Sequence, residues 1–223
     1  MDVPRSRRLP RARVLTALLA VALCTGCLSN DSTGPSGTPN PYALPQHWPE
    51  AYIVDLGYWD VGPTATSVHV SGPGITGSPA LSYDADIGAW LLDPPVSLGA
   101  AYPAGLPYTY TFTIADAGGT RTATDVVSCF QSQLPTNLSP AGTASGTPTF
   151  SWTGINDPRA EYRVQLNTSS LEYVWGTRSS FSTAVVYAGP ALTPGASYTY
   201  WVIVEYASSC GSASVGRATF TYQ

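Results

Sequence analysis

Two stretches about ninety residues apart spell nearly the same strand. Residues 103–114 read PAGLPYTYTFTI and residues 194–204 read PGASYTYWVIV. In each, proline and glycine precede a Tyr-Thr-Tyr that opens an alternating strand. Side chains in a β-strand point to opposite faces in turn, so alternation of this kind reads as a strand with one buried face. Each stretch is followed by turn residues and a second strand-like run, at 120–127 and at 214–222. A repeat at this spacing predicts two similar β-domains in tandem. The 21 glycines and 20 prolines agree with it, because they break a chain into short strands and turns.

The first 26 residues belong to neither domain. Five of the ten basic residues, Arg5, Arg7, Arg8, Arg11 and Arg13, precede a largely apolar run at 14–23. Ten residues are too few to cross a bilayer, which takes about 20. A basic start, a short apolar run and small residues after it mark a secretory leader. The run closes on Leu23-Cys24-Thr25-Gly26-Cys27. This resembles the signal of bacterial lipoproteins. The resemblance implies a diacylglyceryl group on the Cys27 sulfur and cleavage just before it, where the small Thr25 and Gly26 fit. Cys24 fits less well as the lipidated residue, since Leu23 would then stand where a small residue is needed. An ordinary cleaved signal peptide is the alternative. Leu28 follows the cysteine, and the absence of aspartate there leans towards the outer membrane of the bacterial envelope.

Removing the leader changes the charge. Five arginines and thirteen acidic residues remain, with no lysine, so the mature chain carries 5 − 13 = −8. Nucleic acid, whose phosphates need clustered cations, is excluded as a partner. Electrostatic docking on anionic lipid is disfavoured for the same reason, which leaves the lipid on Cys27 as the expected link to the membrane. Residues 28–40 (LSNDSTGPSGTPN) are polar and rich in Ser, Gly and Pro. They read as a flexible tether with a reach of ~20 Å. The expected division is a signal peptide at 1–26, the lipidated cysteine and disordered tether at 27–47, an immunoglobulin-like β-sandwich at 48–131 and a second β-sandwich at 132–223. In the first sandwich, strands are expected at 66–71, 80–83, 89–92 and 108–114.

The second half carries further markers. Asn137-Leu138-Ser139-Pro140 opens it, PTFSW ends on Trp152, YRVQL spans 162–166, and ALTPGASYTYWV spans 191–202. In this order and spacing they resemble the fibronectin type III family. The resemblance implies a core Trp152 and a tyrosine corner built by Leu192 and Tyr198, the phenol body buried and its hydroxyl bonded to nearby backbone. The fold class expected for the whole chain is therefore all-β: two tandem sandwiches, immunoglobulin-like and then fibronectin type III-like.

Candidates for chemistry are few. His47 lies in the proline-rich approach to the first domain, and His69 lies mid-strand between two valines on a face expected to be solvated. Neither has a Ser/Asp set in reach to make a triad, and no HExxH or CxxC spacing occurs. Asp84-Ala85-Asp86-Ile87-Gly88 places oxygen ligands at alternate positions beside a glycine, but it lacks a following glutamate and reads as a hairpin turn. Glu50, Asp55 and Asp60 form no recognisable pair. The chain is expected to be no enzyme, with no cofactor and no metal.

Alternation from Tyr198 turns Trp201 and Ile203 outward, and alternation at 162–166 turns Arg163 and Gln165 outward beside them. An exposed tryptophan next to an arginine suits contact with a partner; cross-strand packing or cover from residues 173–175 is the plainer reading. Cys129 and Cys210 remain after the leader is gone. In an oxidising compartment such a pair usually bonds. Cys129 ends the first domain, and Cys210 lies in the turn between the last two strands of the second. In immunoglobulin-like sandwiches that turn sits at the pole where the chain enters, so a disulfide at the domain junction is expected; two separate buried thiols are the alternative. The expected function is a non-enzymatic binding or spacer lipoprotein that meets an envelope or extracellular protein. A carbohydrate-binding accessory protein, using exposed aromatic residues on a polysaccharide, is the other reading.

Overall fold

The strand at the amino-terminal edge belongs to both domains at once. The computed structural model describes residues 40–60, 63–205 and 212–223, and every regular element among them is a strand. In the first half these are β1 (Asn40–His47), β2 (Tyr52–Trp59), β3 (Ala65–Ser71), β4 (Ser82–Asp84), β5 (Ala89–Leu91), β6 (Val96–Gly99), β7 (Tyr108–Asp116) and β8 (Gly119–Val127). In the second half they are β9 (Thr136–Ser139), β10 (Gly142–Ala144), β11 (Thr149–Thr153), β12 (Glu161–Thr168), β13 (Tyr173–Gly176), β14 (Ala184–Val186), β15 (Ser197–Glu205) and β16 (Ala213–Tyr222).

Each half is a two-layer sandwich. In the first, β1, β2, β4, β5 and β6 face the three-stranded sheet β3-β7-β8. Tyr58, Tyr110, Phe112, Ile114, Val54 and Leu56 fill the space between, all at most 1% exposed. In the second, β10, β12, β13, β15 and β16 face β14-β11-β9 around Phe150. The rings of Trp175, Tyr187, Tyr200 and Phe220 lie 4.7–6.4 Å from that of Phe150. Trp152 is buried against Tyr162. The tyrosine corner is present: the Tyr198 hydroxyl accepts a hydrogen bond from the Thr193 amide at 2.9 Å, with Leu192 buried beside it. The repeat strand of the first domain begins similarly, with the Tyr108 hydroxyl donating to the Ala104 carbonyl at 2.5 Å.

The stretch expected to finish the tether is β1. All eight of its residues pair antiparallel with β2, from Asn40 opposite Trp59 to His47 opposite Tyr52. Its two prolines hide it from sequence reading, since proline cannot donate to a ladder. Strand amides alternate between the two sides, and Pro41, Ala43 and Pro45 share a parity. The Ala43 amide turns away from β2 and donates to Asp125 Oδ2 at 2.6 Å. The two prolines therefore sit where no β2 bond is lost. The first sandwich begins at Asn40, not at 48, and β2 and β6 join the strands expected from the sequence.

At its far end β1 also pairs with β16 in parallel, Gln46 opposite Ala213 and His47 opposite Ser214. The inner sheets of the two sandwiches thus fuse into one ten-stranded sheet. The short connection is pinned to it. The Gln131 amide donates to Ser212 Oγ at 2.9 Å, and Phe130 packs edge-on against Tyr52 with centroids 5.5 Å apart. Gly216 is required where the connection crosses β16, because a Cβ there would come within 2.9 Å of the Pro135 carbonyl oxygen.

Candidate functional site

The fused sheet builds a groove at the domain junction. Its volume is about 430 Å³. The first sandwich supplies one wall, from the β1–β2 turn (Trp48, Glu50, Ala51) and from Ile53. The second supplies the floor, Thr199 and Trp201 of β15 with Arg217 and Thr219 of β16, and a second wall at Leu171 of the β12–β13 turn.

Trp48 is placed by a relay of side chains. Its Nε1 donates to Gln46 Oε1 at 2.8 Å, and Gln46 Nε2 donates to Asp55 Oδ2 at 3.0 Å. Burial pushes the Asp55 carboxyl up to about 7; the Gln46 bond opposes this and the nearby Asp93 charge adds to it. Held this way, the Trp48 ring meets Trp201 edge-on, with centroids 5.8 Å apart and planes at 81°. Glu50 and Arg217 form an ion pair across the groove, one residue from each sandwich. Both are exposed, so the pair contributes ~0–1 kcal/mol and serves mainly to orient the two side chains.

Trp201, Ile203, Arg163 and Gln165 do share one face of the sheet, since Arg163 pairs with Ile203 and Gln165 with Trp201. That face is not open. Trp201 is 2%, Ile203 8%, Arg163 6% and Gln165 5% exposed. Trp48 and Leu171 cover the first two, and Arg163 turns its guanidinium onto Glu205 at 3.1 Å. The open binding face expected at these four residues is corrected accordingly: all four are buried, and of them only Trp201 lines the groove. The expected cover from 173–175 lies elsewhere, because Trp175 packs inward on Phe150 and Tyr187. The groove residues that sequence reasoning missed are Trp48, Glu50, Ala51, Ile53, Leu171, Thr199, Arg217 and Thr219. Outward alternation of Thr199 with Trp201 was the one available signal.

His47, His69, Asp60, Asp84, Asp86 and Cys129 do not line the groove. Asp84 and Asp86 form a turn between β4 and β5, where the Asp86 amide donates to Asp84 Oδ1 at 3.0 Å. No group of three or more His, Cys, Asp or Glu residues that could hold a metal occurs among the described residues. His69 is half-buried, its Nδ1 3.1 Å from the Ser78 carbonyl. His47 stacks on Tyr52 at 4.1 Å; burial holds its pKa below the usual value, opposed by a hydrogen bond with the Gln131 backbone. Asp60, 1% exposed, accepts from the amides of Thr64 and Ala65 and from Trp90 Nε1 at 2.9–3.2 Å. Cys129 is not a free thiol. Cys27 and Cys210 lie outside the described residues. What the groove offers chemically is contact: aromatic and aliphatic walls, two threonine hydroxyls and one oriented ion pair.

No protein-family model and no curated protein sequence matches the chain. Among solved structures it is similar to the chicken CNTN1 FN1-FN3 domains, at 11% identity and a TM-score of 0.33. That alignment covers 83% of this chain and 65% of the other.

Proposed function

We propose that this chain is a lipid-anchored, non-enzymatic protein of the bacterial envelope, and that its two sandwiches form one stiff binding and spacer unit. The observation that carries the reading is β1, which follows the tether directly and pairs with strands of both sandwiches. A module hung from the membrane at that point would present both domains in a fixed orientation, with the groove between them. Resemblance of the leader to lipoprotein signals supports an acylated Cys27, and Leu28 supports the outer membrane. A Cys129–Cys210 disulfide at the junction belongs to the same proposal. The partner is an envelope or extracellular component.

Anchoring is tested by mass spectrometry of the amino-terminal peptide and by cell fractionation. The expected result is a diacylglyceryl mass on Cys27 and loss of membrane association in Cys27→Ser. An unmodified amino terminus, or a soluble wild-type protein, would overturn it. Non-reducing peptide mapping tests the disulfide, and two free thiols would exclude it.

A further inference from the structure

The four floor residues, Thr199, Trp201, Arg217 and Thr219, belong to two rungs of side chains laid across three strands. One is Gln165–Trp201–Arg217 and the other is Asn167–Thr199–Thr219. Gln165 and Asn167 stand beside the floor on the neighbouring strand, buried and not lining the groove, and Gln165 Nε2 donates to Asn167 Oδ1 at 3.1 Å. This bond leaves Gln165 Oε1 an acceptor without a donor and Asn167 Nδ2 a donor without an acceptor. Trp201 Nε1 is a third buried polar atom without a partner. Asn167 is fully buried and the other two residues are nearly so. An unpaired buried polar group costs ~1–3 kcal/mol, and native proteins leave few of them. Three on adjoining positions of one sheet face, beside a groove, point to a ligand.

We propose that the junction groove binds a short neutral saccharide, whose hydroxyls bond to Thr199 and Thr219 on the floor and, with a turn of the buried side chains beside it, to the unpaired atoms of Gln165, Asn167 and Trp201, and whose apolar ring face rests against Trp48 and Leu171. The proposal rests on the reading of the chain as a binding module and names what that module takes. A sugar hydroxyl donates and accepts, so one ligand class meets both the unmatched acceptor and the unmatched donors without bringing charge. Anionic ligands fit worse. Arg217 is the one cation lining the groove, it is paired with Glu50, and the mature chain carries −8. An extended peptide fits worse too, because peptides gain affinity by adding a strand to a free sheet edge. The floor lies inside the sheet, with β15 bonded to β12 on one side and to β16 on the other. A volume of about 430 Å³ is at the small end of ligand pockets and suits about one or two sugar units.

The test uses the full chain, purified in a detergent without a sugar headgroup. It is screened on an array of neutral glycans, acidic glycans and peptides, and each ligand found is titrated by calorimetry. The expected result is binding of a neutral glycan, weakened tenfold or more by the double variant Thr199→Val/Thr219→Val and by Trp48→Ala. Both changes lie at partly exposed positions, and a melting temperature close to wild type shows that the variants fold. Asn167→Ala should weaken binding similarly where it folds. Failure to bind any neutral glycan, or glycan binding that these variants leave unchanged, overturns the proposal. Binding of peptides or acidic glycans that the same variants abolish overturns the saccharide while leaving the binding module standing. Groove variants that also leave capture of an envelope partner unchanged count against the module reading at this site.

Discussion

Asp60 shows how much one buried carboxylate can organise. It receives bonds from the amides of Thr64 and Ala65, from the Thr64 hydroxyl and from Trp90 Nε1. Burial alone would raise its pKa, but these donors together hold it below the usual carboxylate value. A depressed folded pKa means stability that is complete above the unfolded value of about 4 and is lost as pH falls through the folded one. Asp60→Ala should cost about 3 kcal/mol at pH 7, because several buried donors lose their acceptor. For Asp60→Asn, which keeps an acceptor but no charge, the melting-temperature difference from wild type should shrink as pH falls below about 4; a difference independent of pH would exclude the charged form as the stabilising species. Tyr198 is a smaller case. Tyr198→Phe removes the acceptor of the Thr193 amide and should cost about 1 kcal/mol in denaturant titration, with the fold unchanged. This corner was legible in the sequence because its whole geometry is contained in the seven residues from Leu192 to Tyr198. Asp60 was not, because Trp90 reaches it from thirty residues away.

At the scale of elements, β15 and β1 mark what one sequence reveals and what it hides. The alternation from Tyr198 assigns Tyr200, Val202 and Val204 to the core and Trp201 and Ile203 to the opposite face, and the register agrees. Period two is a local property, so the sequence carries it. Whether the opposite face is open depends on Trp48, about 150 residues earlier, and no strand pattern contains that contact. β1 was concealed by Pro41 and Pro45, whose missing amides count against a strand unless the direction of each amide is known. It contributes Ala43 to the first core, and Tyr42 packs on the other face against Trp59. A chain beginning at Trp48 would strip β2 of its partner and leave the groove without its Gln46 relay. It should lose about 5 kcal/mol or more, enough to unfold a domain of ordinary stability. A chain beginning at Thr38 keeps the whole of β1 and should melt like the full chain. Circular dichroism melts of the two distinguish the cases; equal melting temperatures would mean that β1 adds nothing to the fold.

For the whole molecule, the question is what keeps the two sandwiches at one angle. Domains joined by a short connection move relative to each other by default unless the interface between them is substantial. Here three independent features oppose motion: the β1–β16 pairing, the Gln131–Ser212 bond and the Glu50–Arg217 pair. A Cys129–Cys210 disulfide would add a fourth of a different kind, acting mainly on the unfolded chain by closing a long loop, by ~4–5 kcal/mol in the entropy model. The two mechanisms make separate predictions. Because β1 cannot leave one sandwich without disturbing the other, calorimetry should show a single unfolding transition for both domains, oxidised or reduced. Reduction should lower the transition temperature while leaving the radius of gyration from small-angle scattering unchanged, since the sheet sets the angle in the folded state. Two resolved transitions would deny that β1 couples the domains. A radius of gyration that grows on reduction would transfer control of the angle from the sheet to the disulfide, and the groove, which needs walls from both sandwiches, would then open and close with the redox state of that bond.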